Sequence, residues 1–254
     1  MTRIAVVDYG AGNLVSIDQA LRAAGAEVVI ARRGTDRRGA DGLIVPGVGA
    51  AGPAMGRLAR RDLVGPIRDW VAEDRPFLGI CLGMQLLFEG SDEDGSVTLG
   101  ILAGRTVRLQ DAPRLPHIGW NTVRRTREHP LFTGIAAGAF FYFVHSLAPR
   151  PTGVEAAAIT LAWTDHGPEF VSAVARGRVA GVQFHPERSG SDGLQLLARF
   201  VELAAADPGA AEDPGAAQDP GATDDAGAVG GRRAAARSRT GRAGADRAVA
   251  GSAA

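Results

Sequence analysis

The chain has 254 residues, enough for one large domain or two small ones, and 28 basic residues balance 28 acidic ones to a formal charge of zero. That balance gives no electrostatic reason to expect nucleic acid or an anionic membrane as a partner, and no apolar run approaches the length of a bilayer span. All the basic residues are arginine, so no lysine can act as a Schiff base or a general base; with the wealth of Ala and Gly, this points to biased genomic composition.

Met1-Thr2-Arg3 runs straight into Ile4-Ala5-Val6-Val7, without the charged, apolar and small-residue stretches of a secretory leader, so the expected location is the cytoplasm. Ile4 to Val7 reads as a buried strand and Asp8 to Asn13 as the loop after it. Leu14, Ile17, Ala20 and Leu21 recur at helical spacing, with Gly25 as the stop. Glu27 to Ile30 and Gly42 to Val45 read as strands, the latter broken by Pro46-Gly47, and Leu63 to Glu73 as a helix leading into Pro76 to Ile80. Strands alternating with helices imply a parallel sheet covered on both faces. From Leu99 to Ala148 short strand-like runs, among them Thr106 to Leu109 and Phe140 to Val144, imply antiparallel additions. Val179 to Phe184 is a further strand and Leu194 to Ala204 a closing helix, which gives a folded domain over 1–204. Over 205–254, Asp-Pro-Gly-Ala repeats at Asp207, Asp213 and Asp219 give way to an arginine-containing end; with almost no large apolar residue, this tail is expected to be disordered.

Three motifs carry chemistry. The one cysteine, Cys81, cannot form an internal disulfide, and alone it reads as a small buried hydrophobe. Its setting changes that reading. Gly79-Ile80-Cys81-Leu82-Gly83 stands where a strand should turn into the helix Met84 to Phe88, the pattern of a nucleophile elbow. Small flanking residues permit the turn, and a helix N-terminus behind the sulfur favours thiolate over thiol. Phe184-His185-Pro186-Glu187, again after a strand, sets a proton acceptor two residues before a carboxylate able to orient it, although a surface His and a proline turn would look alike. Pro46-Gly47-Val48-Gly49 could let backbone amides converge on an oxyanion, or be a plain strand–helix turn. All three lie at carboxyl ends of expected parallel strands, where open α/β sheets bind ligands. A competing reading takes Gly10-Ala11-Gly12 with Arg32 and Arg33 for an NADP site, but Val15 occupies the third glycine position of that fingerprint.

Gly79 to Gln85 together with Gly181 to Glu187 resembles class I glutamine amidotransferases. Val7 to Leu14, Pro46 to Gly49, Pro116-His117-Ile118-Gly119-Trp120-Asn121 and Tyr142 to Ser146 narrow the resemblance to the glutaminase-subunit family of imidazole glycerol phosphate synthases, over about Arg3 to Val201. The resemblance implies a three-layer, flavodoxin-like α/β fold and a heterodimer with a (β/α)8-barrel cyclase in histidine biosynthesis. It implies that ammonia taken from glutamine is channelled to the cyclase, which uses it to make imidazole glycerol phosphate and aminoimidazole-carboxamide ribotide. Residue by residue, it implies Cys81 as nucleophile, His185 as acid–base and Glu187 as its orienting carboxylate. The amide of Leu82 with that of Val48 or Gly49 would hold the oxyanion. Gly49, Gln85 and the stretch His145, Ser146, Leu147 would position glutamine. Asn13, Pro116, Trp120, Asn121 and Arg188 would lie toward the cyclase; core packing for Trp120 and a turn for Asn121 are the plainer alternatives. No metal or organic cofactor is implied. Arg188 stands where the family commonly has lysine, His166 where tyrosine is expected, and Leu147 where an aromatic is common. Another class I glutaminase, or a non-catalytic module on the same fold, would keep parts of this pattern; the second would be expected to lose Cys81, His185 or Glu187.

Overall fold

The computed structural model describes residues 1–206. In chain order the elements are β1 (Arg3–Val7), α1 (Leu14–Ala23), β2 (Glu27–Ala31), β3 (Gly42–Gly47), α2 (Ala51–Arg60), α3 (Val64–Ala72), β4 (Phe77–Cys81), α4 (Leu82–Gln85) and β5 (Gly90–Ser91). There follow β6 (Gly104–Arg108), β7 (His117–Thr122), β8 (Arg124–Arg125), β9 (Phe140–His145), β10 (Leu147–Pro151), α5 (Ala156–Ile159), β11 (Thr160–Asp165), β12 (Glu169–Arg176), β13 (Val179–Val182) and α6 (Gly190–Ala205). The disordered-tail expectation, from 207 onward, lies outside the described residues.

Period-two alternation in strands buried on both faces builds the layers. Ile4 and Val6 of β1 and Ile44 of β3 face one side, where they pack with Ile17 and Leu21 of α1 and Leu196 and Phe200 of α6. Ala5, Val7, Leu43 and Val45 face the other, against Leu58 of α2 and Ile67 and Trp70 of α3. The eight-stranded sheet runs β2-β1-β3-β4-β13-β12-β11-β8. Its first five members pair in parallel, and β12, β11 and β8 extend it antiparallel. This is the three-layer α/β architecture the sequence implies, with its antiparallel edge. Among the described residues, no helix is long and apolar enough to cross a membrane.

Two local expectations need correction, and one helix was not read from the sequence. β3 is not broken at Pro46 but runs on to Gly47. Its pairing with β1 stops at Ile44, so no neighbour on that side needs the N–H that proline lacks. The helix after Cys81 begins at Leu82 and lasts one turn, so it offers a few free amides rather than a long macrodipole. The stretch from Ala51 to Arg60, without an N-capping side chain and with Gly and Pro inside, is helical nonetheless, because Ala51, Ala54 and Leu58 bury one face.

β7 and β9 form a separate antiparallel ribbon, and an aromatic stack fastens it to β12. The His117 ring stacks on Phe143 at 5.0 Å and on His166 at 4.0 Å, and Phe170 meets both His117 and His145 edge-on. His117 and His145 are buried. Burial is the main cause that lowers His145 to about 3 and His117 to about 4, from an ordinary 6.5. Burial first, and Arg127 second, also lowers His129 to about 4.

Two outcomes follow. These histidines are neutral when folded but charge near 6.5 once unfolded, so between about pH 6.5 and 4 the unfolded state binds more protons and stability falls with pH. Thermal melts should show Tm dropping across that window, less steeply in His117→Phe; a flat Tm would contradict neutral burial. Separately, a Cβ at Gly83 would stand 1.7 Å from the Val45 carbonyl oxygen. Gly83→Ala should therefore cost about 3 kcal/mol in denaturant unfolding, the upper end for overpacking, and an unchanged midpoint would show that the backbones are not in contact.

Candidate active site

The order β3-β4-β13 places the three motif-bearing loops side by side. Gly47 is in register with Cys81, and Ile80 with Val182, so the Pro46–Gly49 loop, the elbow and the Phe184–Glu187 segment leave the same carboxyl edge together. Cys81 has φ 53° and ψ −108°, a conformation that costs a non-glycine residue about 1–3 kcal/mol. The flanking glycines make it attainable: a Cβ at Gly79 would lie 2.6 Å from the Gly83 oxygen, and one at Gly47 would lie 3.0 Å from the Leu82 Cβ.

Cys81 and His185 are both buried. His185 Nδ1 lies 2.8 Å from Glu187 Oε1, with 1% of the Glu187 side chain exposed, so the carboxylate sets Nδ1 as the donor. Nε2 is then the nitrogen left for the sulfur; it is buried and closes no hydrogen bond among the described residues. Burial alone would pull the imidazole down, but Cys81 and Glu187 together outweigh it and hold His185 up at about 10. The proton thus resides on the ring at neutral pH, an arrangement suited to protonating a leaving group. Ser189 supports it, donating from Oγ to the His185 carbonyl at 2.6 Å and accepting from the Tyr142 amide at 2.9 Å.

Gln85 is buried below the elbow, its Nε2 donating to the Leu147 carbonyl at 3.1 Å and to Gln183 Oε1 at 3.0 Å. Gln183, fully buried, donates from Nε2 to Cys81 Sγ at 3.5 Å. Sequence reasoning quoted Gln183 inside a motif and assigned it no role. The available signal was a polar residue in an otherwise apolar parallel strand segment, which must find partners once buried. His145 Nδ1 bonds the Leu147 carbonyl at 2.8 Å, so His145, Leu147 and Gln85 meet at one oxygen. Ser146 is half-buried between them. Leu82 is buried at the start of α4, whereas Val48 and Gly49 are exposed, Gly49 with φ 91°. The Tyr9 hydroxyl is also buried beneath Gly47 and has no partner among the described residues.

The residues expected to face a partner are at the surface or half-buried. Trp120 and Ile118 are exposed on β7, and Trp120 meets the Tyr142 ring edge-on at 6.1 Å. The Arg188 guanidinium lies over the same tyrosine, 4.2 Å from its centroid. Pro116 is exposed. Asn13 caps α1, accepting from the Ser16 amide and donating to Ser16 Oγ at 2.7 Å, and Asn121 donates to the Asp165 carbonyl at 2.7 Å, so both also serve the fold. Arg32 is tied to Asp8 at 3.0 Å, and Gly10 donates to the same carboxylate, so this loop closes on itself rather than presenting a phosphate cradle. A cavity of about 620 Å³, lined by Val107, Leu109, Pro149, Trp163 and Phe170 among others, contains none of the triad.

The class-I glutamine amidotransferase family model matches residues 5–203. Imidazole glycerol phosphate synthase subunit HisH of Symbiobacterium thermophilum is 48% identical over 201 residues, covering 79% of this chain and 93% of that protein. The subunit HisH of Cyanothece sp. strain PCC 7425 is 46% identical over 205 residues, covering 79% and 96%. A solved glutamine amidotransferase superposes with a TM-score of 0.63 at 21% identity, over 79% of this chain and 98% of its own, a likeness of fold. With a nucleophile elbow, a histidine–glutamate pair and a glycine loop on three adjacent strands, and with relatives this similar over nearly their whole length, the chain belongs to the class I glutamine amidotransferases, in the HisH family.

Proposed function

We propose that this chain is the glutaminase of an imidazole glycerol phosphate synthase, releasing ammonia from glutamine through a Cys81 thioester and delivering it to a cyclase subunit. The observation that carries the reading is the meeting of Cys81, from the end of β4, with the His185–Glu187 pair that follows β13, the adjacent strand. Relatives named as the HisH subunit of that synthase point to the partner.

In the mechanism we favour, the Cys81 sulfur attacks the side-chain carboxamide carbon of glutamine. The amides of Leu82 and of Val48 or Gly49 receive the charge that develops on oxygen. His185, already carrying the proton, gives it to the departing nitrogen as the C–N bond breaks, which yields ammonia and a thioester. Water then adds to the thioester carbon, His185 takes its proton, and the C–S bond breaks to give glutamate. Glu187 stabilises the imidazolium and keeps Nδ1 as its donor. Glutamine would be held by Gly49, Gln85 and the His145–Leu147 stretch, with the Gln85 amide nitrogen already engaged and its Oε1 left for the ligand.

Exposed Ile118 and Trp120, with Tyr142 and Arg188 beside them, supply an apolar and cationic surface close to the site, fit for the cyclase barrel. On the family resemblance Pro116, Asn121 and Asn13 would also lie toward the cyclase. On this reading the ammonia reacts at the cyclase to give imidazole glycerol phosphate and aminoimidazole-carboxamide ribotide, and the complex works in the cytoplasm.

Glutamate release should be measured with this subunit alone, with cyclase, and with cyclase plus its nucleotide ligand. Release should rise with the occupied cyclase and vanish in Cys81→Ala. Inert wild type beside an active cyclase would refute the histidine-pathway assignment, and activity surviving in Cys81→Ala would refute the thioester. Glu187→Gln, which removes the charge opposite His185, should lower kcat by roughly 10²–10⁴ with little change in KM; an unchanged kcat would remove Glu187 from the mechanism.

A further inference from the structure

A continuous polar chain crosses the interior from the β7 strand to the nucleophile. Asn121 Nδ2 donates to the Asp165 carbonyl at 2.7 Å and bonds His117 Nε2 at 3.3 Å, while its Oδ1 accepts from the Thr122 amide at 2.8 Å. His117 Nδ1 bonds His145 Nε2 at 3.1 Å, and His145 Nδ1 bonds the Leu147 carbonyl at 2.8 Å. That carbonyl accepts from Gln85, which also donates to Gln183 Oε1, and Gln183 Nε2 reaches Cys81 Sγ at 3.5 Å.

Each link has only one consistent direction. The Leu147 carbonyl can only accept, so His145 carries its hydrogen on Nδ1 and Nε2 holds a lone pair. His117 must then donate from Nδ1, and its Nε2 must accept from Asn121, whose orientation the Thr122 amide and the Asp165 carbonyl lock independently. Gln85 spends its NH2 on two acceptors, one of them Gln183 Oε1. A carbonyl oxygen fixed there leaves Gln183 no choice but to point its NH2 at sulfur. The burial that keeps His117 and His145 neutral preserves this order, because a proton added to either Nε2 would oppose another donor.

We infer that Gln183 is a positioning residue for the Cys81 sulfur, holding it by an N–H bond whose direction is set by Gln85 and the Leu147 carbonyl, that carbonyl being held in place by the His145–His117–Asn121 relay. An N–H aimed at sulfur stabilises thiolate over thiol and restricts the rotamer from which it attacks. The inference rests on the glutaminase reading for its catalytic consequence, but not for its test, because Cys81 is the only thiol in the chain.

The test is the rate of Cys81 alkylation by iodoacetamide against pH in the isolated full chain. Gln183→Met keeps the length without a donor, and Gln183→Glu keeps the acceptor toward Gln85 while turning oxygen toward sulfur. Both should displace the alkylation profile to higher pH and slow alkylation about tenfold on its rising limb, the worth of a hydrogen bond to a charged group. In the complex they should lower kcat for glutamine hydrolysis more than they raise KM. His117→Phe, which keeps the ring stack, and Asn121→Leu should slow alkylation about threefold in the same direction. Melting curves on each variant separate unfolding from the effect. Wild-type profiles in both folded Gln183 variants would overturn the positioning role, and shifts at Gln183 with wild-type profiles in His117→Phe and Asn121→Leu would overturn the relay. A wild type that alkylates as expected yet releases no glutamate would count against the glutaminase reading alone.

Discussion

The site depends on how closely the backbone of the elbow approaches β3. The Val45 carbonyl oxygen occupies the place a Cβ on Gly83 would need, and Tyr9 Oη and the Leu82 Cβ crowd the corresponding place on Gly47. With no side chain on Gly83, the turn from β4 into α4 lies directly against the Val45 backbone of the strand that leads to Val48 and Gly49. A methyl group at Gly83 would meet the Val45 carbonyl, and one at Gly47 would meet Tyr9 Oη and the Leu82 Cβ, so either would push the elbow and β3 apart. The strain stored at Cys81 is tolerable because the same packing leaves the residue no alternative conformation.

The second constraint is that a charged pair is held almost dry. A buried imidazolium is costly unless partnered, and His185 is compensated on both sides, by Glu187 through Nδ1 and by Cys81 toward Nε2. The other buried histidines near the site go the opposite way. His117 and His145 face rings, amides and a carbonyl rather than a carboxylate, and burial leaves them neutral. One small region therefore holds one charged and two neutral imidazoles, and the difference traces to Cys81 and Glu187, which flank His185 alone.

How much of this could be read from the sequence differs by element. The parallel strands were legible because Ile4 to Val7, Glu27 to Ile30 and Phe77 to Ile80 are short apolar runs between turn signals, and burial on both faces demands that pattern. The antiparallel edge was less so: Glu169–Arg176 is a full strand whose Ser172 and alternating small residues give no strong signal alone. Helix Ala51–Arg60 was missed because its interior holds Gly52, Pro53 and Gly56, and only tertiary burial of Ala54 and Leu58 overrides their low propensity. Cys81, His185 and Glu187 could be singled out from local spacing. Gln183 was not, because nothing local says that its amide faces Cys81; that follows from β4 and β13 being neighbours, a fact of topology rather than of motif.

The departures from the family pattern resolve by asking which atoms the structure uses. Leu147 contributes its carbonyl, which accepts from Gln85 and His145, so the loss of an aromatic side chain there leaves those bonds intact. His166 keeps a flat ring stacked 4.0 Å from His117, and its Nε2 reaches the Arg114 carbonyl at 2.8 Å, so it supplies both the face and the polar tip of the expected tyrosine. Arg188 is the departure with physical consequence. Its planar guanidinium lies 4.2 Å from the centre of the Tyr142 ring, a stacking contact that the compact ammonium of lysine makes less well. Tyr142 in turn donates its amide to Ser189, which donates to the His185 carbonyl, and its own carbonyl receives the His185 amide. The substitution therefore acts on the strand that supports His185 while leaving the histidine's own contacts unchanged.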